Sequence, residues 1–376
     1  MKFAHIADLH LGKVLNGHSL LIDQQFILQQ ILQQIEIHKV ECLLIAGDIY
    51  DRSVPSAEAV QLFDNFLEKL LVLKVITIII SGNHDGATRL SFGSFCFAKS
   101  NIFLITEYQK KAITLHDKYG DIDIYAIPYM NRYDIRQALN TEEIPTMKEG
   151  YHQLLDNLSY HSQNRAILIA HQFVKGTSIP SLESSEELLV GGLEEVSSPL
   201  FEQFDYVALG HIHRPEVIIN QTGRIRYSGS PLAYSKAEAG QIKSLPIFEI
   251  KEKGSFDLIT VALQPLHALK HIKALLGDIL KGNIRAKQDD YIYFELMDEY
   301  FPYGSIPEII QKYPNYMSIL PLQYKVNKEQ NIAVSHLKEV DPLMIIEQWY
   351  KLVSTRDLSE QQKDWIKKIW LKEDDE

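Results

Sequence analysis

Five short islands of this 376-residue chain carry side chains of the kind that hold metal ions: Asp8-Leu9-His10, Gly47-Asp48, Gly82-Asn83-His84-Asp85, His171 and Gly210-His211-Ile212-His213. The candidate ligands are Asp8, His10, Asp48, Asn83, His171, His211 and His213, all Asp or His except Asn83. Carboxylate and imidazole suit borderline-hard divalent ions such as manganese, and no soft thiolate set accompanies them. Seven ligands are too many for one ion that must keep an open position. Two ions sharing a bridging carboxylate fit the count, and such a pair clamps the attacking and leaving oxygens of a phosphoryl displacement. The chemistry implied is metal-assisted hydrolysis of a phosphate ester.

Each island alone is ordinary. Asp-x-His is compatible with a polar loop, and Gly-Asp with a turn. Asn83 and His84 directly follow a six-residue apolar run, where packing gives them no role. His211 and His213 stand one strand repeat apart and so face the same side. His171 has only its context, the apolar residues 167–170 before it and its place between the third and fifth islands. Taken in order, each behind an apolar run, the islands form one device. His5, His18, His38, His116 and His336 lack such surroundings and read as ordinary. Arg52 and Arg89, just after two islands, are candidates for meeting phosphate oxygens.

The elements that must deliver these residues alternate strand and helix from residue 1 to about 250. Short apolar runs at 2–7, 40–46, 75–80, 122–127, 166–170 and 206–209 read as buried strands, and five of them end at an island. Leu28, Ile31, Leu32 and Ile35 follow helical spacing, and residues 56–70 are also helical. Ligands just beyond strand carboxyl ends sit where α/β sheets open their crevices. Two sheets packed together under flanking helices would bring the five loops to one point. After residues 246–250 the pattern changes, and the polar, glycine-containing 251–256 reads as a linker. Residues 263–335 form a small α+β module, with strands at 291–296 and 317–322 around a helix at 307–313. Asp341 and Pro342 start a helix over 342–353, and Ser359-Glu360-Gln361-Gln362 is a capping box opening a second over 360–371. The first helix has two apolar stripes, Leu343, Ile346, Tyr350 and Val353 on one and Ile345, Trp349 and Leu352 on the other. Trp365, Ile366, Ile369 and Trp370 lie on the second. That is more apolar surface than packing one helix on its neighbour uses, which marks a partner site. The acidic residues 373–376 read as a solvated end.

Composition is that of a soluble globular protein, 45% hydrophobic and 23% charged. Such a length predicts two to three domains. No apolar stretch approaches the ~18 residues of a membrane span. A ligand at Asp8 leaves no room for a cleaved leader before it. Cys42 and Cys96 have no paired spacing and read as small buried hydrophobes, so a reducing cytoplasm is the compartment implied. The net charge of −11 runs against the basic stripe of a protein that grips DNA phosphates. On charge alone a small phosphate ester ranks above nucleic acid, although bound dications and a basic partner would offset the deficit.

The ordered islands resemble the calcineurin-like metallophosphoesterase superfamily and, within it, the family of nuclease subunits of bacterial SbcCD complexes. The stretches that carry the likeness are Phe3-Ala4-His5-Ile6-Ala7-Asp8-Leu9-His10-Leu11-Gly12 and Ala46-Gly47-Asp48-Ile49-Tyr50-Asp51. To these add Ser81 to Asp85, His171-Gln172-Phe173-Val174 with Gly176, Asp205 to Pro215, and Tyr227-Ser228-Gly229-Ser230-Pro231-Leu232. They span the N-terminal two thirds; the C-terminal third is similar only in layout. The resemblance implies a two-sheet metallophosphoesterase sandwich flanked by helices at 1–255, a capping, DNA-binding α+β domain at 263–335 and a helix pair at 341–371 that binds the ATPase partner SbcC at the base of its coiled coil. It implies two Mn2+ ions, one held by Asp8, His10, Asp48 and His213, the other by Asp48, Asn83, His171 and His211. His84 would act on the leaving 3′-side oxygen, with Asp85 orienting its imidazole. The implied activity is a double-strand 3′–5′ exonuclease and hairpin or single-strand endonuclease in DNA repair and recombination, working as a homodimer within a heterotetramer. Asp51 stands where archaeal and eukaryotic relatives have a catalytic histidine, so no acid role passes to it. No Gly-Lys-Ser/Thr phosphate loop occurs, which leaves ATP to the partner.

Three rival readings come with these residues. Gly47-Asp48-Ile49-Tyr50-Asp51-Arg52 resembles the Gly-Asp-x-x-Asp-Arg of serine/threonine protein phosphatases, but theirs continues with Gly where this chain has Ser53, and their third island ends in Glu rather than Asp85. A cyclic-nucleotide phosphodiesterase would not need residues 263–376. A non-catalytic scaffold that merely recruits an ATPase has no use for seven intact ligands.

Overall fold

The computed structural model describes residues 1–175, 196–218, 223–298, 303–321, 343, 346–347, 350–351 and 357–370. Its first sheet has the spatial strand order Phe256–Ala262, Ser244–Ile250, Lys2–Ile6, Cys42–Ala46, Ile76–Ile80 and Ile102–Ile105. The last four are mutually parallel, and the first two add antiparallel. The second sheet runs Glu216–Val217, Ile225–Tyr227, Tyr206–Gly210, Arg165–His171, Gly120–Ile127 and Ile113–Asp117. It is parallel through its middle and antiparallel at both edges.

Strands buried on both faces must be apolar throughout rather than alternating, which is why these runs are legible as uninterrupted hydrophobic stretches. Phe3, Cys42, Leu44, Ile78 and Ile80 of the first sheet meet Ile122, Ile124, Ile167, Ile169 and Tyr206 of the second in one inner layer. On its other face the second sheet packs Tyr125, Leu168 and Leu209 against helices Arg132–Leu139 and Met147–Asp156. Helix Leu21–His38 buries Ile27, Leu28, Ile31, Leu32 and Ile35, the expected stripe with one residue added. Helix Ala57–Val72 starts at Ser56, whose side chain accepts the Ala59 N–H and so satisfies one of the first-turn donors. The mixed α/β sandwich of parallel-containing sheets is the architecture expected.

The fold does one thing for function. Parallel strands in both sheets end on the same side, and five of them, Lys2–Ile6, Cys42–Ala46, Ile76–Ile80, Arg165–His171 and Tyr206–Gly210, lead into the islands. Gly210 pairs in register with His171, so the two loops that follow these strands are neighbours.

Three expectations need correction. Residues 251–256 are a hairpin turn, not a linker: strand Phe256–Ala262 pairs back on Ser244–Ile250 from Ile250↔Phe256 to Ser244↔Ala262. Gly254, at φ 80, is the turn residue that glycine's conformational freedom permits, and a turn glycine looks the same in sequence as a linker glycine. The first compact unit consequently runs past 255, to Leu269, and Lys270–Glu376 form the second. Cys42 is buried as expected, but Cys96 is exposed.

Within the second unit, strands Leu269–Ala274, Tyr291–Leu296 and Tyr316–Pro321 form a three-stranded sheet. Ile292, Phe294 and Leu296 pack on Ile279, Ile309 and Tyr313 from helices Leu276–Lys281 and Ile306–Lys312. Helix Glu360–Trp370 has the capping box: Gln362 N–H donates to Ser359 Oγ, and Ser359 N–H donates to Gln362 Oε1. Of the earlier tail helix, Leu343, Ile346, Glu347, Tyr350 and Lys351 are described and helical. Asp341, Pro342, Ile345, Trp349, Leu352 and Val353 lie outside the described residues, as do Gly176, His336 and residues 373–376. No helix among the described residues is long and apolar enough to cross a membrane.

Candidate metal centre

The first two islands are fastened to each other by their backbones. Asp8 N–H donates to Gly47 O at 3.0 Å, His10 N–H to Asp48 O at 3.0 Å, and Leu11 N–H to Ile49 O at 2.9 Å. Asp8, His10, Asp48 and His211 all adopt positive φ, 54°, 43°, 51° and 102°. Strain of this kind costs of order 1–3 kcal/mol per residue and persists only where the surroundings enforce it. Two glycines supply the room. A Cβ on Gly82 would lie 2.1 Å from Asp48 Oδ1, and one on Gly210 would lie 1.9 Å from Ala46 O.

All seven candidate ligands come together at the shared end of the two sheets. His10 Nε2 lies 3.0 Å from His213 Nε2. Asn83 Oδ1 lies 3.0 Å from His171 Nε2 and 3.1 Å from His211 Nδ1. Asp48 stands between the groups: its Oδ2 is 3.7 Å from His10 Nε2 and 3.4 Å from His171 Nε2, while its Oδ1 accepts the His84 N–H at 2.8 Å. Asp8 accepts the His211 N–H on Oδ1 at 2.9 Å, and its buried Oδ2 has no hydrogen-bond partner. Asp8, His10 and His213 form one group with metal-binding spacing, and Asp8, Asp48 and His171 another.

The donor arithmetic fits cations. His171 Nδ1–H donates to Ala46 O at 2.8 Å, and His213 Nδ1–H donates to Glu238 Oε1 at 3.1 Å. In a neutral imidazole one ring nitrogen donates and the other accepts, so both rings turn an Nε2 lone pair into the cluster. The His171 lone pair faces the Asp48 carboxylate and Asn83 amide oxygens, and the His213 one faces His10 Nε2, so acceptor meets acceptor. Acceptors converging in a buried space need positive charge between them, and divalent ions supply it.

Electrostatics agree. Burial pushes the Asp8 carboxyl up to about 7, the Asp48 charge adding to it and the His171 and His213 rings opposing. Burial alone would lower His171, but Asp48 beside it wins and holds the ring up to about 9. Asp48 goes the other way: burial would raise it, and His171, His10 and His84 together hold it well below the usual carboxylate range. Without metal, protons do part of the work that dications would do.

His84 and Asp85 are placed differently from expectation. His84 joins His10 and Asp48 within metal-binding spacing, and its Nδ1 lies 2.9 Å from the Asp51 carbonyl. Asp85 does not orient that imidazole. Its carboxylate accepts three backbone N–H groups, Ile49 at 3.1 Å, Tyr50 at 3.0 Å and Gly82 at 2.9 Å. An anion satisfied by converging amides ties the second island to the third. Burial and the Asp48 charge nonetheless raise its carboxyl to about 6. Asp51 pairs with Lys13 at 2.8 Å. Arg52 is largely exposed, 3.8 Å from Asp51, and Arg89 is exposed.

Sequence reasoning missed the residues that brace the ligands. Glu238 and Lys243, both buried, stand behind His213. Gln24 and Tyr234 hold the carbonyls of Leu9 and His10. Tyr129 stacks on His211. The stretch Tyr227 to Leu232, noticed without a role, acts through backbone: Tyr227 OH donates to Gln172 O, and Ser230 N–H donates to His213 O. No spacing rule marks these residues, because each acts on a loop distant in sequence.

A model of the calcineurin-like phosphoesterase family matches residues 1–215. The SbcD subunit of the SbcCD nuclease of Staphylococcus epidermidis is 33% identical over 373 residues, covering 98% of each chain. Solved structures with distant similarity include TT1561 of Thermus thermophilus, with 9% identity and a TM-score of 0.42 over 70% of this chain and 99% of that one. A dimetal phosphatase from Danio rerio has 12% identity and a TM-score of 0.39, also over 70% and 99%.

Proposed function

Because this chain belongs to the calcineurin-like phosphoesterase family, we propose that it is the nuclease subunit of an SbcCD-type complex, a metal-dependent phosphodiesterase that cuts DNA beside an SbcC-type ATPase. The observation that carries the reading is Asp48, one carboxylate oxygen of which faces an imidazole of each ligand group. Asp8, His10, Asp48 and His213 would hold one divalent ion, and Asp48, Asn83, His171 and His211 the other. Bound there, such ions activate water and stabilise the charge that develops on the phosphate. Manganese suits this oxygen and imidazole set.

His84 is the residue proposed to act on the leaving oxygen. With Nδ1–H on the Asp51 carbonyl, an imidazolium at His84 presents Nε2–H for donation, and proton donation of this sort contributes ~100- to 10,000-fold. Asp85 serves by holding the loops rather than by touching the proton.

The substrates proposed are duplex ends, digested 3′–5′, and hairpins or single strands, with the second unit from Lys270 to about residue 335 as the capping, DNA-binding part and 341–371 as the attachment for the coiled-coil base of SbcC. Trp365, 72% exposed on its helix, supports that attachment. A homodimer within a heterotetramer is part of the same reading. Exposed Phe92 lines an apolar cleft of about 570 Å³ together with Val54, Val60, Phe63 and Leu90, the kind of surface a second copy covers. A cytoplasmic location goes with a DNA substrate and two unpaired cysteines.

The test incubates the purified chain, with and without its ATPase, with Mn2+ and a blunt end-labelled duplex, alongside p-nitrophenyl phosphate and a phosphopeptide. Metal-dependent shortening of the duplex is the expected result. Hydrolysis of the phosphopeptide with an intact duplex would replace this reading with a protein phosphatase.

A further inference from the structure

Behind the ligands, the two halves of the centre are built unequally. His213 Nδ1–H donates to Glu238 Oε1 at 3.1 Å, and that oxygen also accepts Ser235 Oγ–H at 2.9 Å. The other Glu238 oxygen accepts from Lys243 Nζ at 2.6 Å, with Ser230 Oγ 3.3 Å away and its hydroxyl donating to Leu232 O at 2.7 Å. Lys243 Nζ additionally donates to His213 O at 2.8 Å and to Ser230 Oγ at 3.0 Å. Glu238 and Lys243 are thus a buried ion pair, 2% and 5% exposed, wrapped around one imidazole and its own carbonyl. On the other half, the ring nitrogen of His171 that faces away from the cluster hydrogen-bonds to a neutral acceptor, Ala46 O, at 2.8 Å, with the Asp8 carboxylate beyond hydrogen-bond range at 3.9 Å.

The difference has a chemical consequence. A carboxylate accepting the far N–H of a ligating imidazole fixes its tautomer and makes its metal-facing nitrogen more basic, and losing such a partner typically costs 10- to 100-fold in metal affinity. A carbonyl fixes the tautomer but carries no charge. Burying an ion pair for this purpose is expensive unless its remaining hydrogen bonds are satisfied, and here Glu238 accepts from His213 and Ser235 on one oxygen and from Lys243 on the other.

We propose that Glu238, braced by Lys243, is a positioning residue for His213 that makes the Asp8–His10–Asp48–His213 half of the centre the tighter of two unequal metal sites. The inference rests on the two-metal reading of the cluster. It implies that the ions load in order, the half backed by Glu238 first.

Calorimetric titration of the metal-stripped full chain with Mn2+ tests it, with the manganese spin-resonance spectrum followed at each equivalent. The wild type is expected to bind two ions in distinguishable steps, an uncoupled spectrum at one equivalent giving way to a coupled one at two. In Glu238→Gln the tighter step should weaken ~10- to 100-fold while the weaker step moves less than about threefold. Glu238→Asp, which keeps the charge, should recover part of the loss. The double variant Glu238→Gln/Lys243→Met removes both charges together, so a folding failure caused by an unpaired Lys243 cannot imitate the effect. Thermal melts in EDTA confirm that each variant folds. Unchanged steps in folded Glu238→Gln would overturn the proposal, as would an equal loss of both. A wild type that binds no second ion would instead overturn the two-metal reading beneath it.

Discussion

Asp48 holds the position that the rest of the centre depends on, since His10 and His171 approach the same carboxylate oxygen from opposite groups. Asp48→Ala is therefore expected to abolish nuclease activity and to leave fewer than two ions per chain by elemental analysis; two retained ions would remove it as the bridge. His84→Ala should separate binding from chemistry, keeping both metals and DNA binding while losing ~100- to 10,000-fold in cleavage rate. A variant that lost its metals would show His84 to be a ligand, which its spacing to His10 and Asp48 makes a real alternative. Protonation gives a third check. His171 keeps its proton up to about pH 9 because Asp48 overrides burial, and buried Asp8 keeps its proton up to about pH 7. Ions must displace both. Metal affinity should then rise from pH 6 to about 9 and level off above, with roughly one to two protons released per centre at pH 7. Calorimetry in two buffers of different ionisation enthalpy measures the number. No release at pH 7 would contradict the part given to His171 and Asp8.

Among the elements, the loops matter more than the strands that carry them. Asp85 accepts three backbone N–H groups from two islands, and removing it costs ~1–3 kcal/mol for each of these part-buried donors that water does not reach. Asp85→Ala is expected to destabilise the metal-free chain by about 2–4 kcal/mol in urea unfolding and to weaken metal binding through the displaced second and third islands. Stability within about 0.5 kcal/mol of wild type, the range of an ordinary surface change, would show that the clamp contributes nothing. This residue also marks the limit of what was legible in the sequence. The strands could be read because burial on both faces demands unbroken apolar runs, and the clustering of the candidate ligands because their islands follow such runs. Asp85 was legible as part of the site but not in its role, since a carboxylate beside a histidine in sequence resembles its orienter, whereas the fold turns it toward Ile49 and Tyr50. Glu238 was invisible because the imidazole it serves is on another loop. The turn at Gly254 was mistaken for a linker because only pairing partners distinguish the two.

At the scale of the whole molecule, an acidic chain with a net charge of −11 is poorly suited to gripping DNA by itself. The proposed ATPase partner would resolve the conflict by supplying positive charge. Ending the chain near residue 336 is expected to leave a metal-loaded nuclease domain that no longer co-purifies with the ATPase, because the exposed Trp365 and its helix are removed. Co-purification at the wild-type level would make that helix internal packing alone. All of this depends on the two groups of ligands forming one centre. The most direct measurement is anomalous scattering at the manganese edge from crystals of the chain grown with Mn2+. Two ions per chain, both touching Asp48, are expected, one also on Asp8, His10 and His213 and the other on Asn83, His171 and His211. A single ion, or a pair with no ligand in common, would contradict the account.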